Sequence, residues 1–248
     1  MLDILHDYGI MLLIGQYPQG PLGGLALTVI MALLALIASF PLAVLIGLAR
    51  TSSIAPVRNI AMGYTYVVRA IPLLLLIFWT YFAVPLITGY NISGFITMIV
   101  ALVVYEGAYL GEVVRAGINA VPKGQVEAAR AMGMSYWQCM RKIVLPQALF
   151  NMLPSILNQF IMITKNTSLA YLIGTQEVTF AAYQINNQLL TQPFQVYALL
   201  AGFYFVLCFS LSRLAKWLEH TIDRKRLGAP RNNVASVEAN QVLAGQPK

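Results

Sequence analysis

Leu25-Ala26-Leu27-Thr28-Val29-Ile30-Met31-Ala32-Leu33-Leu34-Ala35-Leu36-Ile37-Ala38-Ser39-Phe40-Pro41-Leu42-Ala43-Val44-Leu45-Ile46-Gly47-Leu48-Ala49 runs without a charged residue and is closed by Arg50. A helix rising about 1.5 Å per residue crosses roughly 30 Å of bilayer hydrocarbon in about 20 residues, so this stretch is long enough to span. The whole chain fits that reading. Of 248 residues 58% are hydrophobic and 10% charged, too little polar surface to cover a soluble globule. The fold class expected is an all-α integral membrane protein.

Four more apolar runs follow. Residues 60–87 contain one charge, Arg69; residues 96–117 contain Glu106 and, near their end, Glu112 and Arg115. Residues 146–164 are stopped by Lys165, and residues 196–214 pass into a basic amphipathic segment at 212–227. About five transmembrane helices are therefore expected. Residues 168–191 are moderately apolar but carry Gly174, Gln176, Glu177, Asn186 and Asn187, which reads as a partly buried or re-entrant segment. Residues 1–14 hold Asp3 and Asp7 and no Lys or Arg, so they lack the basic start of a cleavable signal. Three parts are expected: a periplasmic leader at 1–20, a transmembrane domain at 21–227 and a disordered cytoplasmic tail at 228–248.

The net charge of +7 would suit nucleic acid, but the basic residues flank apolar runs, where anionic membrane lipid explains them and no nucleic acid is expected. Residues 50–58, residues 115–142 and the chain from 213 onward hold 14 of the 16 Lys and Arg. Basic loops stay inside, so the orientation expected is N-out and C-in. Cys139 and Cys208 are too far apart in sequence to suggest a disulfide framework, and His6 and His220 sit at opposite ends. No metal site and no cofactor is expected.

The long loop after the third run, within residues 119–145, reads as two short helices. Pro122 and Gly133 bracket the first; Ser135, with Gln138 three residues on, has capping-box spacing for the second. Gly133 suits a turn of positive φ, and Glu127 with Arg130 forms an i,i+3 pair that can steady the first helix. The spacing alone leaves an ordinary amphipathic loop and a docking surface both open.

Here the residues resemble a known family. Glu127-Ala128-Ala129, then Gly133, Ile143 and Leu145-Pro146, is similar to the EAA signature of ABC importer membrane subunits at each spaced position. Arg69-Ala70-Ile71-Pro72-Leu73-Leu74, residues 111–118 and Lys165-Asn166-Thr167-Ser168-Leu169 resemble the polar amino acid branch, the histidine, glutamine and glutamate/aspartate permeases. Ala70 departs from it where many relatives have Gly. The resemblance covers roughly residues 20 to 225 and implies a type I importer fold in a bacterial inner membrane. It also implies three partners: a cytoplasmic ABC ATPase dimer, a second permease subunit, identical or related, and a periplasmic or extracellular solute-binding protein. Glu127, Ala128, Ala129, Arg130 and Gly133 are then the ATPase-coupling residues. No Gly-Lys dipeptide occurs, so this chain has no Walker A loop and is not itself the ATPase.

Arg69 stands nine residues into its run, about 14 Å by helix rise, and Glu106 ten residues into its own, about 15 Å. Ionisable groups at that depth face a polar cavity or one another. Arg69 suits a substrate carboxylate and Glu106 an ammonium, while a mutual ion pair or gate latch is the structural alternative. Lys165, Asn166 and Thr167 join them as substrate-path candidates, Lys165 doubling as the marker of a helix break. Glu112 and Arg115 read as a local pair. The function expected is transport of a polar or charged amino acid, acidic first, with another small solute as the alternative. A membrane hydrolase would need a histidine base at depth, and both histidines lie outside the apolar runs. A scaffold would rest on Arg224-Lys225-Arg226, which lipid binding explains.

Overall fold

The computed structural model describes residues 1–227; the tail expected at 228–248 lies outside the described residues. Ten α-helices follow in order: α1 Leu2–Ile14, α2 Gly24–Arg50, α3 Ala55–Ala70, α4 Leu73–Thr88, α5 Gly94–Asn119, α6 Lys123–Ala131, α7 Tyr136–Cys139, α8 Leu145–Asn166, α9 Val178–Leu189 and α10 Pro193–Leu227. A π-helical turn, Met140–Val144, joins α7 to α8, and a 3₁₀ turn, Thr167–Ile173, follows α8.

Three helices are long and apolar enough to cross a membrane alone: Gly24–Arg50, Gly94–Asn119 and Pro193–Thr221. The second expected run is not one straight helix. It breaks at Ile71-Pro72 into α3 and α4, which meet at 99°. Proline lacks the N–H that would continue the ladder and disfavours α geometry in the residue before it, and Ile71 is extended at φ −91°, ψ 130°. Counting Arg69's depth along a continuous helix therefore fails: it occupies the last turn of α3, beside the break. The fourth expected run, α8, spans 22 residues but is amphipathic, its Gln and Asn residues lowering its hydropathy below that of the other three.

The centre of the fold is α5 against α2. A Cβ on Gly107 would lie 2.7 Å from Leu42 Cδ2, on Gly111 2.7 Å from Ile46 Cγ2, and on Gly47 2.4 Å from Val114 Cγ1. Rising numbers meet rising numbers, so the two helices run parallel, with the bent pair α3–α4 as the connection. Small residues at such a crossing let backbones approach without help from water exclusion, as lipid-embedded helices require. α8 runs back antiparallel, with Met152 at Gly117 and Gln159 at Glu106.

Three apolar clusters stack along this frame. One joins Met31, Leu73, Ile77, Met98, Leu102 and Ile163; a second joins Leu110, Val114, Ala129, Cys139, Val144 and Met152; a third joins Ile4, Leu12, Val178, Ile185 and Val196. The segment expected to be re-entrant is partly buried, with α9 at its centre. Glu177 caps α9, accepting from Thr179 N at 2.9 Å and Phe180 N at 3.0 Å, and also receives Tyr204 Oη at 3.1 Å and Thr28 Oγ1 at 3.4 Å. One buried carboxylate thus ties α9 to α10 and α2. The outward faces are apolar: Ile37, Leu45, Trp79 and Phe205 are all exposed, the arrangement of a lipid-facing surface.

Gly111→Val should lower the melting temperature of the detergent-purified protein, overpacking at this crossing costing about 1–3 kcal/mol. Gly63→Ala, inside α3 where a Cβ meets nothing within 4 Å, should leave it unchanged or slightly raised. Equal melting temperatures for the two variants would contradict the α2–α5 contact.

Candidate functional site

The break at Pro72 leaves Arg69 at the edge of a cavity of about 450 Å³ between α3, α5 and α8. Its walls carry Arg69 from α3, Tyr109, Glu112, Val113, Ala116 and Gly117 from α5 with Ala120 just past its end, and Asn151, Met152, Ser155 and Gln159 from α8. These positions lie in the half of the bundle nearer Arg50. α3 is fixed to α5 by Tyr64, whose hydroxyl donates to the Val104 carbonyl at 2.7 Å. The Arg69 guanidinium sits 4.9 Å from the Tyr109 ring centroid, and the Tyr109 and Tyr105 hydroxyls are 3.2 Å apart. A cation over an aromatic face is attracted by the ring quadrupole while its N–H groups stay available.

Arg69 and Glu106 form no ion pair. Glu106 is fully buried and its oxygens are taken by amides: Asn166 Nδ2 donates to Oε1 at 3.0 Å and Gln159 Nε2 donates to Oε2. The latch between the two charges is thus replaced by two separate arrangements, a carboxylate held by amides and an arginine on a tyrosine. The local Glu112–Arg115 pair does form, with Arg115 Nε donating to Oε1 at 2.9 Å, and α2 adds Arg50, whose Nη1 lies 3.1 Å from Oε2. Two guanidiniums on one carboxylate bind α5 to the end of α2. Arg50 also lies 5.8 Å from the Tyr66 ring centroid, which brings α3 into the same cluster.

Of the other substrate-path candidates, Asn166 is drawn to the site through Glu106. Lys165 is exposed on the last α-turn of α8 and does not line the cavity. Thr167 is buried, its hydroxyl donating to the Thr164 carbonyl at 2.7 Å where the helix tightens into the 3₁₀ turn. The helix break expected at Lys165 falls two residues later, at Thr167. Sequence reasoning missed Tyr109, Asn151, Ser155 and Gln159. The last three recur at i, i+4 and i+8 on α8, a polar stripe along one side of the helix that would have marked a wetted face.

At the Arg50 end lies the two-helix loop. Pro122 is the N-cap of α6 rather than its first residue, Gly133 turns at φ +82°, and the capping box is formed: Ser135 N donates to Gln138 Oε1 at 2.9 Å and Gln138 N to Ser135 Oγ at 3.4 Å. Ala129 is completely buried against Cys139 and Val144, so α6 is seated on the bundle; Gln147 Nε2 ties it further, donating to Gln125 Oε1 at 2.7 Å. Glu127, Ala128, Arg130 and Gly133 face outward, beside exposed Met132 and Trp137. Glu127 and Arg130 do not pair: the ion pairs among the described residues are His6–Asp7, Arg50–Glu112 and Arg115–Glu112.

Residues 39–224 match the family model of the binding-protein-dependent transport system inner membrane component. The chain is 38% identical over 212 residues to the probable glutamine ABC transporter permease protein GlnP of Bacillus subtilis (strain 168), covering 83% of this chain and 97% of that one. It is 36% identical over 209 residues to the glutamate/aspartate import permease protein GltK of Escherichia coli O157:H7, covering 80% and 91%. Among solved structures, an amino acid ABC transporter with histidines matches with a TM-score of 0.74 at 34% identity, over 80% of this chain and 92% of that one. The MetNI methionine ABC transporter in an inward-facing conformation matches in fold, with a TM-score of 0.60 at 23% identity over 78% and 91%. The EAA-like loop, the all-helical frame with its apolar spans and these likenesses agree, and the chain belongs to the family of binding-protein-dependent transport system inner membrane components.

Proposed function

We propose that this chain forms the passage for an amino acid in an ATP-driven importer, with the α3–α5–α8 cavity as its substrate site and α6–α7 as the seat of a cytoplasmic ATPase. The observation that carries this reading is Arg69: a guanidinium on the cavity wall, stacked on Tyr109, with no carboxylate at ion-pair distance among the described residues. A fork of N–H donors without an acid partner fits the α-carboxylate that all amino acids share. The printed substrates of the relatives, glutamine for one and glutamate/aspartate for another, differ in side chain and share that group. An acidic amino acid is the first choice for this chain, because Glu112 is already neutralised by two arginines and Arg69 leaves the cavity net cationic.

The orientation that places Arg50, Lys123, Arg130, Arg141 and Lys142 on the inner side puts the cavity in the inner half of the membrane and α6–α7 in the cytoplasm. Buried Ala129 anchors the loop while Glu127, Ala128, Arg130 and Gly133 face the ATPase, so motion of the ATPase pair is passed to α5 and α8 through a seated helix. A second permease subunit and an external solute-binding protein complete the assembly.

Arg69→Gln keeps a long polar side chain and removes the charge. Uptake by the reconstituted complex should fall about tenfold or more, the worth of a charge-assisted pair, with assembly and basal ATP hydrolysis retained. Undiminished uptake would remove Arg69 from the passage.

Gly133→Val forces a β-branched residue to positive φ in open space, so its strain of about 1–2 kcal/mol stays in the loop. It should leave the permease in the membrane and reduce co-purification of the ATPase, as should Glu127→Lys. Normal ATPase recovery with both variants would exclude this loop as the docking surface.

A further inference from the structure

An amino acid carries an ammonium beside its carboxylate, and Arg69 can answer only the second. Two acidic side chains lie near. Glu112 lines the cavity, but its carboxylate serves Arg50 and Arg115. Glu106 is completely buried and does not line the cavity, so it cannot meet a substrate directly.

What Glu106 does touch is a cavity residue. Gln159 is on the wall, and its Nε2 donates to Glu106 Oε2; Asn166 Nδ2 donates to the other oxygen at 3.0 Å. An ionised carboxylate has four acceptor sites and no donor, so an amide facing it must turn its NH₂ inward. With Nε2 committed to Glu106, Oε1 is the remaining polar atom of a side chain that lines the cavity, and it has no other hydrogen bond among the described residues.

We propose that Glu106 is a positioning residue for substrate recognition: by holding the Gln159 amide in one orientation, it presents Gln159 Oε1 to the cavity as an acceptor for the substrate ammonium. The inference rests on the amino-acid reading of the cavity and deepens it. A carboxylate at this depth is costly unless hydrogen-bonded, and the two amides supply those bonds while one of them faces the passage. The polarity of the cavity wall is therefore set from behind. A glutamine at 106 would be able to donate as well as accept. Gln159 would then turn freely and show the cavity an NH₂ group, which repels an ammonium.

The test is calorimetric binding to the permease–ATPase complex in lipid nanodiscs, without the solute-binding protein. The probes are L-glutamine, L-glutamate and L-arginine, each against its counterpart lacking the α-amine: glutaramic acid, glutaric acid and 5-guanidinopentanoic acid. The wild-type complex should bind at least one of the amino acids about tenfold more tightly than its counterpart, the worth of one hydrogen bond to a charged group. Glu106→Gln should erase that preference while leaving assembly intact. Gln159→Leu should erase it too, the double variant should lose nothing further, and Glu106→Asp, still an acceptor only, should keep it.

A preference retained in Glu106→Gln overturns the proposal, as does an equal loss for both members of a pair, which is the mark of a merely structural role. If Glu106→Gln does not assemble, Gln159→Leu decides: an erased preference supports the proposal and a retained one overturns it. A wild-type complex that binds an amino acid and its counterpart equally overturns this inference alone. One that binds none of the three amino acids overturns the amino-acid reading on which it rests.

Discussion

Gly107 and Gly111 allow α5 to lie against α2 with no side chain of their own between the backbones, and the rest of the bundle is hung on that contact. Because the two helices run parallel, the chain must return between them, and α3–α4 supplies the return with a right-angled break rather than a loop. α8 takes the neighbouring face of α5, with Met152 at Gly117 and Gln159 at Glu106. The cavity lies between α5 and the polar side chains of α8, where α3 ends. Arg50 and Glu112 close the same contact at its charged end, with Arg115 adding a second guanidinium. A half-buried charge cluster of this kind costs some desolvation and gives register, which a glycine-lined contact by itself does not define.

Polar groups inside the bundle divide into two kinds. Glu106 and Glu177 are fully buried, with two donors on the first and four on the second, and tie helices together, Glu106 across α5 and α8, Glu177 across α2, α9 and α10. Arg69, Ser155 and Gln159 line open volume. Membrane-depth polarity signals function most directly in the second kind, because a side chain satisfied on all sides has nothing left to offer a solute. Gln159 belongs to both, donating inward and facing the cavity, and so connects the structural set to the proposed passage.

Much of this was legible in the residues. The uncharged run ending at Arg50 gave α2 almost to the residue, since a missing charge over a membrane-length window has few other causes. Ser135, Gln138 and Gly133 gave the α6–α7 turn because capping chemistry is local. The 99° bend was not foreseen, although Pro72 was visible: proline kinks many helices gently, and how far the chain turns depends on what α4 packs against. The partners of Glu106 were missed because a charge in a span suggests an opposite charge, while two amides, 53 and 60 residues away in sequence, serve as well. Glu127 and Arg130 had pairing distance on paper, but exposed side chains gain little by pairing in water. The i, i+4, i+8 stripe of Asn151, Ser155 and Gln159 was legible and was passed over in favour of full charges.

Whether the α3–α5–α8 cavity is the amino acid passage is decided by a cryo-electron microscopy map of the assembled importer, trapped inward-facing with its amino acid. Ligand density is expected between Arg69 and Gln159, with the carboxylate on the Arg69 guanidinium. Density for the amino acid elsewhere along the chain, with Arg69 still resting on Tyr109 and unliganded, would contradict it.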